Sequence, residues 1–232
     1  EEALKCGERF GALAAAGIEP SVVLPRVLWD REVPQVERDL KSLKECGVAS
    51  ALVGNLGGID LARRAGLELR GDFGLEVYNS QCAGVYGDLG LKSLTLSFEQ
   101  RLSRVRDQLK PLPSELIVYG RLPLMITENC IYEARDGKCR KGCEAREGIL
   151  DRKKARFPVL RAYGCRNEIF NGLPLWLADK KEELDRCGLW ALRLNFVLEE
   201  PEECVRIFDA YRAGNGVASG EYTRGLYYRD VE

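Results

Sequence analysis

The chain has 232 residues, 45% of them hydrophobic, enough to bury a core of its own, with 35 basic side chains against 36 acidic ones. That balance gives the whole chain no nucleic-acid or membrane footprint, and no run approaches the ~18 apolar residues of a membrane span. It contains no histidine, which excludes Ser-His-Asp and Cys-His pairs, the H-E-x-x-H zinc helix and any His-bearing metal site built by this chain alone.

In chain order, residues 1–17 read as a helix stopping at Gly17, and Ser21–Leu24 as a strand. Val33, Val36, Leu40 and Leu43 recur at helical spacing up to a Cys46-Gly47 stop, with Cys46 expected in the core. A strand at Ala49–Val53 precedes a short helix near Asp60–Ala65, and Leu67–Asn79 reads as a third strand or an extended pair. A helix over Gln81–Asp88 leads to a strand at Leu94–Leu96. Ser97 and Gln100 then form a capping box that opens a helix carrying Leu102, Val105 and Leu109. A fifth strand is expected at Glu115–Tyr119, the end of a buried strand at Leu122–Ile126, and another apolar strand at Phe157–Leu160. Leu173–Cys187 reads as a loop and helix, Leu189–Val197 as a last strand and Pro201–Tyr211 as a helix.

Short apolar strands alternating with amphipathic helices argue for an α/β fold of parallel βα units. About seven strands are expected, near the eight of a TIM-like (β/α) barrel, which is favoured over a doubly wound sheet. The domain is placed at residues 1–213, with a Gly-rich link and an aromatic, basic tail at 214–232. Polar groups just past the strands would then line one mouth. Arg26, Asn55, Asn79, Glu99, Arg121, Glu128 and Asn167 are the candidate substrate-binding residues, with Ser97, Tyr119, Glu168 and Asn195 at equivalent places.

Four of the nine cysteines fall between Tyr119 and Asn171: Cys130, Cys139, Cys143 and Cys165. Two follow apolar strands and two lie in a charged, Gly-bearing loop, so four soft donors can enclose one centre. A thiolate set with no nitrogen donor suits tetrahedral zinc or an iron–sulfur cluster, and the spacing leaves that choice open. Residues 133–166 also carry eleven Lys or Arg against five acids. Such a segment can track phosphates, or can neutralise an anionic thiolate-held centre.

Tyr119-Gly-Arg-Leu-Pro-Leu-Met125, Thr127-Glu-Asn-Cys130, Cys139, Cys143, Asp151-Arg152, Phe157-Pro-Val159, Cys165–Asn171 and the closing Thr223-Arg-Gly225 and Tyr228-Arg229 resemble peptidase family U32, the collagenase-like proteins. Leu226 and Asp230 stand where that family's ending commonly has His and Gly. The match is closest to the carboxyl-terminal barrel half of long members, which implies an incomplete TIM-like barrel, its first strand missing or supplied elsewhere, and partner domains in a longer chain. It also implies an iron–sulfur cluster, [4Fe–4S] rather than zinc, on Cys130, Cys139, Cys143 and Cys165. The activity implied is hydroxylation of RNA pyrimidines, against two alternatives: the peptidase of the family name and a non-catalytic, cluster-stiffened scaffold. The expected setting is cytoplasmic and reducing, with no membrane, because the amino terminus lacks a signal peptide's basic and apolar regions.

Overall fold

A computed structural model of the chain describes residues 3–139 and 147–229. It divides into two compact units, one of residues 1–116, 186–192 and 229–232, the other of residues 117–185 and 193–228.

The first unit is built by helical periodicity alternating with short apolar runs. After helix α1 (Gly7–Ala15) and strand β1 (Ser21–Val23), α2 (Val33–Glu45) starts on a proline in its first turn and buries Val36, Leu40 and Leu43 along one stripe. Cys46, expected in the core, is exposed because it caps the end of α2 beyond that stripe. Strand β2 (Ser50–Val53) is followed by α3 (Leu56–Arg64), β3 (Glu68–Gly71) by α4 (Ser80–Asp88), and β4 (Ser93–Thr95) by α5 (Leu102–Asp107). Strand β5 (Ser114–Gly120) completes the series. All these strands pair in parallel in the order β1-β2-β3-β4-β5, a curled half-barrel sheet of the kind βα crossovers produce.

Two local expectations fail here, the first to a local turn and the second to a long-range partner. The extended run to Asn79 breaks after Gly71, because Asp72 accepts from the Phe73 amide and starts a 3-10 turn at Phe73–Leu75; only Val77 bridges back, to Leu96. The Ser97–Gln100 capping box does not form. Gln100 Nε2 donates to the Val77 carbonyl at 2.7 Å, the helix begins at Leu102, and Leu109 lies beyond it at 80% exposure.

The second unit departs further from the barrel expectation. Four strands, β6 (Pro123–Thr127), β7 (Glu147–Leu150), β8 (Arg156–Arg161) and β9 (Asn167–Phe170), form an antiparallel sheet in the order β6-β9-β8-β7. Strand β6 is not a buried strand end, since Leu124 and Met125 are 53% and 52% exposed. Helix α6 (Ile131–Asp136) follows β6. Strand β10 (Leu175–Trp176) pairs antiparallel with Tyr119–Gly120, and α7 (Lys181–Asp185), β11 (Ala191–Asn195) and α8 (Pro201–Ala213) follow it in the chain. Among the described residues there are thus eleven strands rather than about seven; β1–β5 form a parallel series, β11 pairs with β5 in the same sheet, and the fold is mixed α/β.

The core of the second unit gathers Tyr119, Trp176 and Tyr211 edge to face, with ring centroids 5.6–6.2 Å apart. The closing segment belongs to this unit too. Thr223 exchanges backbone hydrogen bonds with Pro174 and Trp176, and the buried Tyr227 hydroxyl donates to the Ile117 carbonyl at 2.5 Å. Arg224 forks onto both oxygens of Asp179 at 2.6 and 2.7 Å.

Candidate functional site

The antiparallel sheet brings two of the four cysteines to one end. Thr127 and Asn167 are register partners, so Cys130, three residues past the first, and Cys165, two before the second, leave the β6–β9 pair on the same side. Cys130 is half-buried and occupies the cap position of α6, and the next amide, Ile131 N, donates to Asn167 Oδ1 at 2.7 Å. Asn167 is thereby a buried clamp between the two cysteine-bearing turns rather than a group at an open mouth. Beside it Arg166, 2% exposed, pairs with Glu128 and donates to the Tyr163 carbonyl at 3.0 Å. These bonds account for Glu128 and Asn167 locally and fix the turn carrying Cys165. That turn has two consecutive left-handed residues, Gly164 (φ 70°) and Cys165 (φ 65°). A left-handed cysteine is uncommon and costs about 1–2 kcal/mol, and here it presents an exposed thiol.

Cys139 is exposed just past the left-handed Gly137 that caps the far end of α6, and Cys143 lies outside the described residues. Among the described residues no three His, Cys, Asp or Glu side chains form a metal-holding group. The donor set fits a thiolate-held centre in its chemistry and in the shared placement of Cys130 and Cys165. Of the eleven basic residues of 133–166, Arg135, Lys138, Arg152, Lys153, Lys154, Arg156 and Arg161 are exposed, while the buried Arg166 is not part of any surface stripe. Asp151 Oδ1 accepts from the Lys153 and Ala155 amides, holding three of these cations on one tight turn.

A second cluster stands past the strands of the first unit. The stem of Arg26 crosses Gly54 and Gly74, where Cβ atoms would approach it at 2.9 and 3.1 Å, and its guanidinium lies 4.8 Å from the Phe73 ring centroid. Glu99 accepts from the Tyr78 hydroxyl at 2.6 Å, and Ser97 Oγ reaches Glu76 at 3.4 Å. Partial withdrawal from water, and then the like charge of Glu99, push the Glu76 carboxyl above the usual range, while Arg26 pulls it back. Asn55 and Asn79 do fold work: their Oδ1 atoms accept from Gly58 N and Cys82 N at 2.8 Å, capping α3 and α4, and Asn55 Nδ2 donates to the Pro25 and Arg26 carbonyls. In the second unit Arg121 is turned onto the Asn171 and Gly172 carbonyls. There too the Tyr119 hydroxyl donates to Glu199 at 2.9 Å, and Asn195 packs its carbonyl against Gly120.

The family model for peptidase family U32 matches residues 8–223. The chain belongs to peptidase family U32. No curated protein and no solved structure matches it.

In this U32 chain, Glu76 is a residue the sequence did not single out. The extended run expected to Asn79 ends at Gly71, and the 3-10 turn at Phe73–Leu75 leaves Glu76 past the strand; the bridge Val77↔Leu96 then sets it beside the Ser97 hydroxyl, a proximity with no local signal in the sequence. A carboxyl raised in the fold binds its proton more tightly folded than unfolded. Its contribution is therefore complete below the unfolded pKa and is lost as pH rises through the folded one. Glu76→Gln is expected to leave stability unchanged near pH 4 and to raise it at pH 8; urea midpoints at the two values check this, and an equal midpoint at pH 8 refutes it.

Proposed function

We propose that this U32 chain is an iron–sulfur protein that takes part in oxidative hydroxylation of RNA pyrimidines. The observation that carries the reading is the convergence of Cys130 and Cys165 at one end of the β6–β9 pair, clamped by Asn167, within a chain of this family. Cys139 and Cys143 complete the proposed ligand set, and a bound [4Fe–4S] cluster supplies one-electron chemistry there. The exposed cations of 135–161 bind RNA phosphates, and the Asp151 turn presents Arg152, Lys153 and Lys154 together. Within the first unit, Arg26 and Glu99 are the proposed substrate-binding groups, with Glu76 as the carboxyl available to exchange a proton. The five parallel strands support an incomplete TIM-like barrel, completed by segments of a longer chain, and the proposed setting is cytoplasmic and reducing.

One specific observation favours a second reading, hydrolysis: burial, and then the like charge of Glu99, hold the Glu76 carboxyl above its ordinary range, the direction a general acid needs. Anaerobic purification separates the two. The redox reading expects brown protein containing iron and sulfide, with the iron lost in Cys130→Ala, and a hydroxylated pyrimidine missing from a deletion strain and restored by wild type alone. Colourless protein with stoichiometric zinc rejects the cluster, and gelatin cleavage that Glu76→Gln abolishes installs the peptidase instead.

A further inference from the structure

Cys6 and Cys46 belong to neither site, and they stand together. Cys6 closes the 3-10 turn Ala3–Cys6 and precedes the first residue of α1, while Cys46 caps the end of α2. With Leu4, Lys5, Gly7 and Arg9 they line one open cavity of about 600 Å³. Both are free thiols, Cys46 exposed and Cys6 half-buried. The Cys46 sulfur lies 3.0 Å from where a Cβ on Gly7 would stand, so the glycine next to Cys6 is what lets that sulfur lie against the start of α1. Neighbouring Cα atoms are about 3.8 Å apart, which leaves Cys6 one residue step from this contact. Lys5 and Arg9 are exposed at the same cavity, and none of its described lining residues is acidic.

We propose that Cys46 and Cys6 are a thiol–disulfide exchange pair for an anionic low-molecular-weight disulfide. Cys46, the accessible thiol, attacks as thiolate on one sulfur of the incoming disulfide; that S–S bond breaks and one small thiol leaves with the electron pair and takes up a proton. Cys6 then attacks the Cys46 sulfur of the mixed disulfide, a Cys6–Cys46 bond forms and the second small thiol departs. The protein loses two protons and two electrons, and the small disulfide is reduced to two thiols. Lys5 and Arg9 draw the anionic partner into the cavity, and the product ties the start of α1 to the end of α2. The pair is independent of the cluster and of RNA.

The test uses the full chain with oxidised glutathione as the probe, read by tryptic peptide mass. In wild type, peptide Cys6–Arg9 is expected disulfide-linked to peptide Glu45–Arg63. Cys6→Ser is expected to stop with one glutathionyl group on Cys46, and Cys46→Ser to leave Cys6 unmodified. Replacing Lys5 and Arg9 together by Ala slows the reaction roughly tenfold at low ionic strength, and leaves exchange with neutral hydroxyethyl disulfide unchanged. Phenylarsine oxide, which bridges two adjacent thiols, should protect both cysteines of the unaltered wild type from alkylation, a readout that needs no variant to fold. Absence of the cross-link while other cysteines exchange, or alkylation of both cysteines at undiminished rates in the presence of the arsenical, overturns the proposal; equal slowing with both disulfides overturns its anionic specificity.

Discussion

Gly120→Ala is expected to cost about 4 kcal/mol or more, as a large fall in urea midpoint, and to leave the second unit unfolded first. Two independent penalties coincide at this residue. Its φ of +114° lies where a side chain is strained whatever the space around it, and an added Cβ would stand 2.0 Å from the Asn195 carbonyl oxygen, inside any permitted contact. The obstacle is backbone, so no rotamer change relieves it. Gly66→Ala is the control: φ is +72° and nothing lies within 4 Å, so strain alone remains, about 1–2 kcal/mol. Equal losses at the two positions would mean that β11 does not approach β5 as described. The consequence reaches the candidate site, because Gly120 is followed by Arg121, whose guanidinium holds the Asn171–Gly172 turn at the end of β9.

Leu94→Ala is the second large effect, expected at about 2–5 kcal/mol for a fully buried leucine. Leu94 and Gly71 are register partners on β4 and β3, and a Cβ on Gly71 would meet Leu94 Cδ2 at 2.5 Å, with Leu75 and Leu91 each at 3.1 Å. Gly71→Ala alone overfills this space at about 1–3 kcal/mol. In the double variant the alanine methyl occupies volume the leucine vacated, so the pair should lose less than the sum of the singles, as a double-mutant cycle of denaturant midpoints will read. Strict additivity would show that the two side-chain positions do not meet. These strands carry Glu76 and Ser97 just past their ends, so the double variant also asks whether the carboxyl cluster survives repacking beneath it.

The helices and the parallel strands of the first unit were legible because their signals are local. The stripe Val36, Leu40, Leu43 and the glycine and asparagine punctuation at Gly47, Asn55 and Asn79 act within a few residues of the chain. The antiparallel sheet was legible only in part. The runs at Leu122–Ile126 and Phe157–Leu160 mark β6 and β8, but β6 turns Leu124 and Met125 outward, Glu147–Leu150 offers two apolar residues in four, and the order β6-β9-β8-β7 exists because distant partners satisfy each backbone. In the other sheet β10, two residues long, exists likewise because it pairs with β5. Ser97 and Gln100 make the same point in reverse, since a valid local motif lost to the Val77 carbonyl 23 residues away.

By itself the sequence determined the residue types available for chemistry: nine thiols, no imidazole, a basic segment, family motifs across most of the chain, and a run of βα units. Donor chemistry and short-range periodicity are properties of composition and order, and need no fold to be read. Only the tertiary structure decided which of those groups meet. Strand register carried Cys130 and Cys165 to one sheet end, buried Arg166 and Asn167 as their clamp, and set Glu76 beside Ser97 and Cys46 against Gly7. Proximity between residues far apart in the chain follows from pairing and packing, which the identity of any one residue does not encode.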